Sequence, residues 1–226
     1  MSARNRWWVV SIFYLSSSVN YLDRQILGAV SPAFMAEFGL NLEQYGWTQS
    51  AFALLYLVSS PLMGWFLDRA GLNLGTTIAL GWWSIMGMAR GLTSGPIGLV
   101  AAHGLMAVGE AAGIPSTAKA AQTYLKQEER AIGSSMSQFG LVIGGALAAV
   151  IANYSITHWG WRSAFFVAGW LGFLWIPLWW WASTKAPVQE AAPESKGYSI
   201  RGILSQKQTW GFVIANVLSL GIFLFW

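Results

Sequence analysis

The sequence has no cysteine, which excludes disulfide frameworks, thiolate metal sites and a cysteine nucleophile. It is also poor in charge. Only 10% of its residues are Asp, Glu, Lys or Arg, where a soluble domain carries about a quarter. So few charges cannot cover a water-facing surface, which excludes an ordinary soluble domain. Acidic residues number nine and histidines two, and no His pair or Asp pair within the apolar stretches suggests a metal or aspartyl site. What is abundant is apolar: 55% hydrophobic residues, 15 Trp and a mean hydropathy of +0.47. The net charge of +4 is modest and lies largely on one side of the expected spans, which suits a bilayer and not nucleic acid.

A helix needs about 20 apolar residues to cross the hydrocarbon core. Six such stretches are expected: Trp7 to about Gly28, Tyr45 to Leu67, Leu72 to Ala89, Pro96 to about Leu125, one within Ala131 to Trp161, and Ser163 to Ala182. A seventh begins near Gln208 and runs to Trp226. The fold class is therefore an all-α integral membrane protein: a six-helix bundle over 1–182, a cytoplasmic linker over 183–207 and a truncated seventh helix over 208–226. The linker carries Pro187, Pro193 and scattered charge, with one short amphipathic stretch around Ile200 to Leu204. Arg4 and Arg6 precede the first apolar run with no small-residue cleavage pattern, so a cleaved signal peptide is not expected.

The basic residues test the span count. With alternating spans, Arg4, Arg6, Arg69, Lys126, Arg130, Lys185, Lys196, Arg201 and Lys207 share one side. Arg90 and Arg162 fall on the other, and Arg24 and Lys119 lie within spans. Basic residues favour the cytoplasmic face, so a cytoplasmic N-terminus is expected. Trp7, Trp8, Trp159, Trp161 and Trp179 to Trp181 sit near span ends, as interfacial belts do.

Seven of the nine acids lie in loops or at span ends; Asp23 and Glu110 do not. A carboxyl inside the membrane normally faces the bundle interior or a wet cavity. Asp23 and Arg24 are adjacent, so they point about 100° apart on a helix and cannot neutralise each other face to face. His103 and Glu110 stand two helical turns apart on one face. Such groups can line a substrate and proton path, or serve only as a buried cluster that fixes packing. Gly140 and Gly144, with Gly145 beside them, form a small face on the fifth span that permits close helix approach. Gln138 is either a ligand-binding amide or a polar group at a helix interface. An enzyme is not expected, since Ser116 lacks a partner within reach and His158 lies near a span end.

Four motifs in order resemble one family. Asn20-Tyr21-Leu22-Asp23-Arg24 is similar to the N-Y-x-D-R signature of the anion:cation symporters of the major facilitator superfamily. Gly64 to Gly71 resembles the superfamily's G-x-x-x-D-R-x-G loop, with Asp68 and Arg69 in its D-R position. Gly109-Glu110-Ala111, Pro115 and Glu129-Arg130 resemble the fourth-span pattern, and Gly160 to Phe166 resembles G-W-R-x-A-F. The resemblance implies one half of a twelve-span carrier whose two six-helix halves rock about a central site. The expected substrate is a small organic anion moved with a proton, sodium being the other candidate ion; no cofactor is implied. By the same resemblance Arg24 holds the substrate carboxylate, Asp23 and Glu110 carry protons, Tyr21, His103 and Gln138 contact substrate, and Gly64, Asp68, Arg69 and Gly71 gate. Similar permeases carry a second arginine where this chain has His103, and basic residues where it has Leu72-Asn73. On physical grounds Asp68 is expected to approach the positive N-terminus of a neighbouring helix and latch one state. A proton-driven exporter of drugs or metabolites on the same fold is the alternative. Multi-pass residence in a bacterial inner membrane is expected either way.

Overall fold

The computed structural model describes residues 3–185, 202, 205–211 and 214. The expected linker over 183–207 and the seventh span over 208–226 lie for the most part outside the described residues. The helices below belong to the compact unit Met1–Gln189.

Nine α-helices follow in order among the described residues of this unit: α1 Ala3–Ala29, α2 Ser31–Phe38, α3 Leu42–Ala70, α4 Leu72–Gly91, α5 Pro96–Glu110, α6 Gly113–Tyr124, α7 Arg130–Ser137, α8 Phe139–His158 and α9 Arg162–Ser183. Four stretches are long and apolar enough to cross a bilayer: Leu42–Ala70, Pro96–Tyr124, Gln127–His158 and Arg162–Ser183. The helix limits agree with the six expected stretches to within a few residues, but α1 and α4 are not among these four, and α2 was not expected. The fourth and fifth stretches are each interrupted, between α5 and α6 and between α7 and α8.

Local chemistry accounts for these ends. Asn41 caps α3 reciprocally: its Oδ1 accepts from Gln44 N at 2.8 Å, and Gln44 Oε1 accepts from Asn41 N at 3.0 Å. Gly71, at φ 78°, turns the chain from α3 into α4, a conformation that favours glycine. Pro115 has no N–H for the carbonyl four residues back, that of Ala111, and the chain leaves the α-helix just before it, at Ala111-Ala112, whereas α3 and α9 continue through Pro61 and Pro177. Ahead of the break at Gln138, Ser135 Oγ donates to Ala131 O at 3.1 Å and Ser137 Oγ to Ser134 O at 2.7 Å, hydroxyls that bend helices.

α1 packs chiefly on α8, α4 on α9 and α5, and α3 on α5. The expected small face on α8 is the reason for the first contact. A Cβ built at Gly144 would stand 2.5 Å from Ser18 O, and one at Gly140 would stand 2.7 Å from Ser17 Cβ. Gly145 faces open space and plays no part. One apolar cluster gathers Phe13, Leu80, Trp83, Met106, Trp175 and Trp179; a second gathers Leu22, Ile26, Phe34, Leu99, Trp161 and Phe165.

Ion pairs tie opposite ends of the bundle. Arg6 Nη2 meets Glu129 Oε1 at 3.0 Å, joining the start of α1 to the turn before α7. Glu37 accepts from Arg162 through both oxygens at 2.9 and 2.8 Å, and from Trp161 Nε1 at 2.7 Å. Arg162 also donates to Thr93 O at 3.1 Å. Elements expected on the same side therefore do meet.

Candidate functional site

Between α1, α3, α6 and α7 opens a cavity of about 170 Å³. Ser16, Ser17, Asn20, Tyr21 and Arg24 form its α1 wall, Tyr56 its α3 wall and Thr117 its α6 wall, while Ser134, Ser137 and Gln138 close it from the fifth stretch. Both helix interruptions reach it, through Gly113-Ile114 and Ser137-Gln138. Backbone leaves its helical pattern at membrane depth where it is buried or lines a cavity.

Arg24 is the single charged side chain among those lining the cavity. Its guanidinium lies over the rings of Tyr56 (4.6 Å), Phe52 (5.1 Å) and Tyr21 (5.6 Å), and remains 27% exposed. Its Nε donates to Glu110 Oε2 at 2.6 Å. Glu110, at the end of α5, is completely enclosed.

Asp23 takes the other direction, as the 100° offset required. It does not line the cavity and is completely enclosed. Its Oδ1 accepts from Arg90 Nη2 at 3.3 Å, and its backbone oxygen accepts from Arg90 Nη1 at 2.9 Å. This corrects the placement of Arg90 in an outer loop. α4 runs on through Gly91, and the Arg90 side chain points back along the helix into the interior, where none of it is exposed. Gly87, one turn earlier, makes the room: a Cβ there would stand 3.2 Å from Asp23 Oδ1. The available signal was a buried carboxyl in α1 whose neighbour could not pair with it.

Each carboxyl uses one oxygen only. Asp23 Oδ2 and Glu110 Oε1 are buried with no hydrogen-bond partner among the described residues. His103 is buried on α5, stacked on Phe52 at 4.8 Å, with Nδ1 3.5 Å from Arg90 Nη1. It is not among the cavity-lining residues, whereas Tyr21 and Gln138 are. Tyr56 was not singled out in the sequence, and nothing in its local pattern marks it.

The loop expected to gate is separate from this site. Asp68 meets the Lys119 ammonium at 3.0 Å, where a helix N-terminus was expected. The same ammonium donates to Leu67 O at 2.9 Å, so Lys119 leaves the span interior and caps the end of α3. Arg69 stacks over Trp65 at 4.1 Å, and Gly64 and Gly71 have open space at their Cα.

Comparisons with known proteins agree with the motifs. The Major Facilitator Superfamily model matches residues 13–226. The hexuronate transporter of Escherichia coli K12 is 26% identical over 95% of this chain and 54% of its own length. The galacturonate transporter of Dickeya chrysanthemi is 25% identical over 95% and 67%. A probable galactarate/D-glucarate transporter of Bacillus subtilis is 29% identical over 77% and 40%. The chain thus spans about half the length of the curated relatives it matches. Among solved structures, a bacterial homolog of the human lysosomal transporter Spinster, inward-facing and unoccupied, superposes with a TM-score of 0.72 at 23% identity. That match covers 87% of this chain and 47% of the other, and shows the fold. The curated relatives named here are transporters of sugar acids, and the chain belongs to the Major Facilitator Superfamily, a family of membrane transporters and not of enzymes.

Proposed function

We propose that this chain forms the N-terminal half of a secondary carrier that moves a small hydroxylated carboxylate together with a proton. The observation that carries this is the Arg24–Glu110 pair: one guanidinium faces a hydroxyl-lined cavity and is bonded at 2.6 Å to a fully enclosed carboxylate. A substrate carboxylate bound to Arg24 competes with Glu110 for that cation. A buried carboxylate that loses its counter-charge is costly to keep ionised, so Glu110 takes up a proton as substrate binds. Its unpartnered Oε1 is a place for that proton. Ser16, Ser17, Thr117, Tyr21 and Gln138 offer hydrogen bonds to substrate hydroxyls.

In this proposal α5 with α6, and α7 with α8, each make one crossing, giving six with α1, α3, α4 and α9. The N-terminus is cytoplasmic, and six further helices close the cavity from the other side. About 170 Å³ is small against the 300–1,000 Å³ of typical ligand pockets, which suits half a site. Asp23 carries a second proton, and the Asp68–Lys119 contact is a cytoplasmic latch. The relatives' names favour sugar acids over lipophilic drugs, as does a cavity whose one charge is positive.

Glu110→Gln in the full-length protein, reconstituted in liposomes, tests the coupling. Labelled D-galacturonate should still exchange across the membrane, but an imposed pH gradient should no longer accumulate it. Accumulation at the wild-type level would remove Glu110 from the proton path.

A further inference from the structure

The geometry points to Arg90 as the fixed counter-charge of Asp23, a positioning residue for the proton step that supplies from α4 the guanidinium that position 103 lacks. This inference rests on the proposed coupling and adds a residue to it.

Arg90 is bound on every side. Nη1 and Nη2 donate to the backbone and carboxyl oxygens of Asp23, Nε donates to Gly87 O at 3.2 Å, and Phe165 of α9 covers the group at 4.5 Å. Nothing of it is exposed. An arginine so enclosed contributes little net stability unless its charge is needed where it lies. Its charge lies beside His103: Nη1 and His103 Nδ1 are 3.5 Å apart. The charged and titratable groups around the pair are Asp23 and Arg24 from α1, and His103 and Glu110 from α5. Formal charges then balance one to one, Arg24 with Glu110 and Arg90 with Asp23. The two pairs differ in access. Arg24 opens to the cavity and can exchange Glu110 for substrate, while Arg90 cannot reach substrate and exchanges nothing. Arg90 therefore holds Asp23 in register behind the cavity wall whenever that carboxyl is ionised, and keeps its charge from drawing Arg24 away from Glu110.

The position of the charge, and not the arginine at 90 as such, is what this requires. An arginine at 103 could reach the same place once Arg90 is shortened, because the imidazole already touches it. Three full-length proteins decide the matter: wild type, Arg90→Gln, and Arg90→Gln with His103→Arg. In proteoliposomes carrying a pH gradient, Arg90→Gln should accumulate D-galacturonate roughly tenfold less than wild type while retaining exchange, a split that loss of packing alone does not produce. The double variant should recover accumulation. Equal accumulation by wild type and Arg90→Gln overturns the inference, and so does a double variant that reaches the membrane but accumulates no better than the single one. If Arg90→Gln does not fold, recovery of both folding and accumulation in the double variant supports the inference, and failure to recover either overturns it. Wild type that never accumulates galacturonate overturns the coupling role along with the proposed function. The melting temperatures of the three proteins then still decide whether position 103 can carry Arg90's charge.

Discussion

Arg24 and Glu110 are 86 residues apart in the chain and 2.6 Å apart in the bundle. That each would seek an interior partner was visible in the sequence, because ionisable residues in long apolar stretches demand one. Which partner each one takes was not. Adjacency showed only that Asp23 and Arg24 diverge, and the completing guanidinium came from Arg90, which charge counting had assigned to an outer loop. A residue at a helix end can belong to either medium, and side-chain direction decides it. Outside the spans the same residue-level reasoning gives a pH prediction. Hydrogen bonds from Arg162, then Trp161, hold the Glu37 carboxyl below its ordinary value. A lowered carboxyl contributes stability above its unfolded value, and the contribution fades as pH falls through its folded one. Glu37→Gln should therefore lower the melting temperature at neutral pH, and its difference from wild type should close as the solution is acidified through the carboxylate range. A difference that persists in acid would assign the loss to packing.

At the level of elements, the helices were readable because each needed about 20 apolar residues between charges. Their interruptions were harder to see. Pro115 was noted as part of a motif, yet the break that precedes it beside Glu110 could not be read from the proline alone, since α3 and α9 run unbroken through Pro61 and Pro177. The serines before Gln138 carry a weaker signal, since hydroxyls bend a helix only when they bond back to it. The glycine face of α8 was legible, and the structure separates its members. Gly144→Leu should force α1 and α8 apart and cost about 1–3 kcal/mol or more, read as lost thermal stability or folded yield. Gly145→Ala, which meets nothing within 4 Å, should change stability by about 0.5 kcal/mol or less. Equal effects at both positions would contradict the α1–α8 contact.

For the whole molecule, two ion pairs, Arg6–Glu129 and Glu37–Arg162, tie together helix ends that the expected alternation would put on one side each. Between these ends lies one cavity with hydroxyl walls, a single exposed guanidinium, and two enclosed carboxyls behind it. The superfamily membership was legible because four short motifs recur in order. The direction and driving ion of transport depend on how charge moves between states, which no local pattern encodes. The central claim is that substrate and Glu110 compete for Arg24, so that binding must bring a proton with it. Adding D-galacturonate to the purified full-length protein in weakly buffered solution reads this directly. The medium should turn more alkaline as substrate binds, and Glu110→Gln should diminish the change. Binding of the same ligand with no proton uptake by the wild-type protein would contradict it.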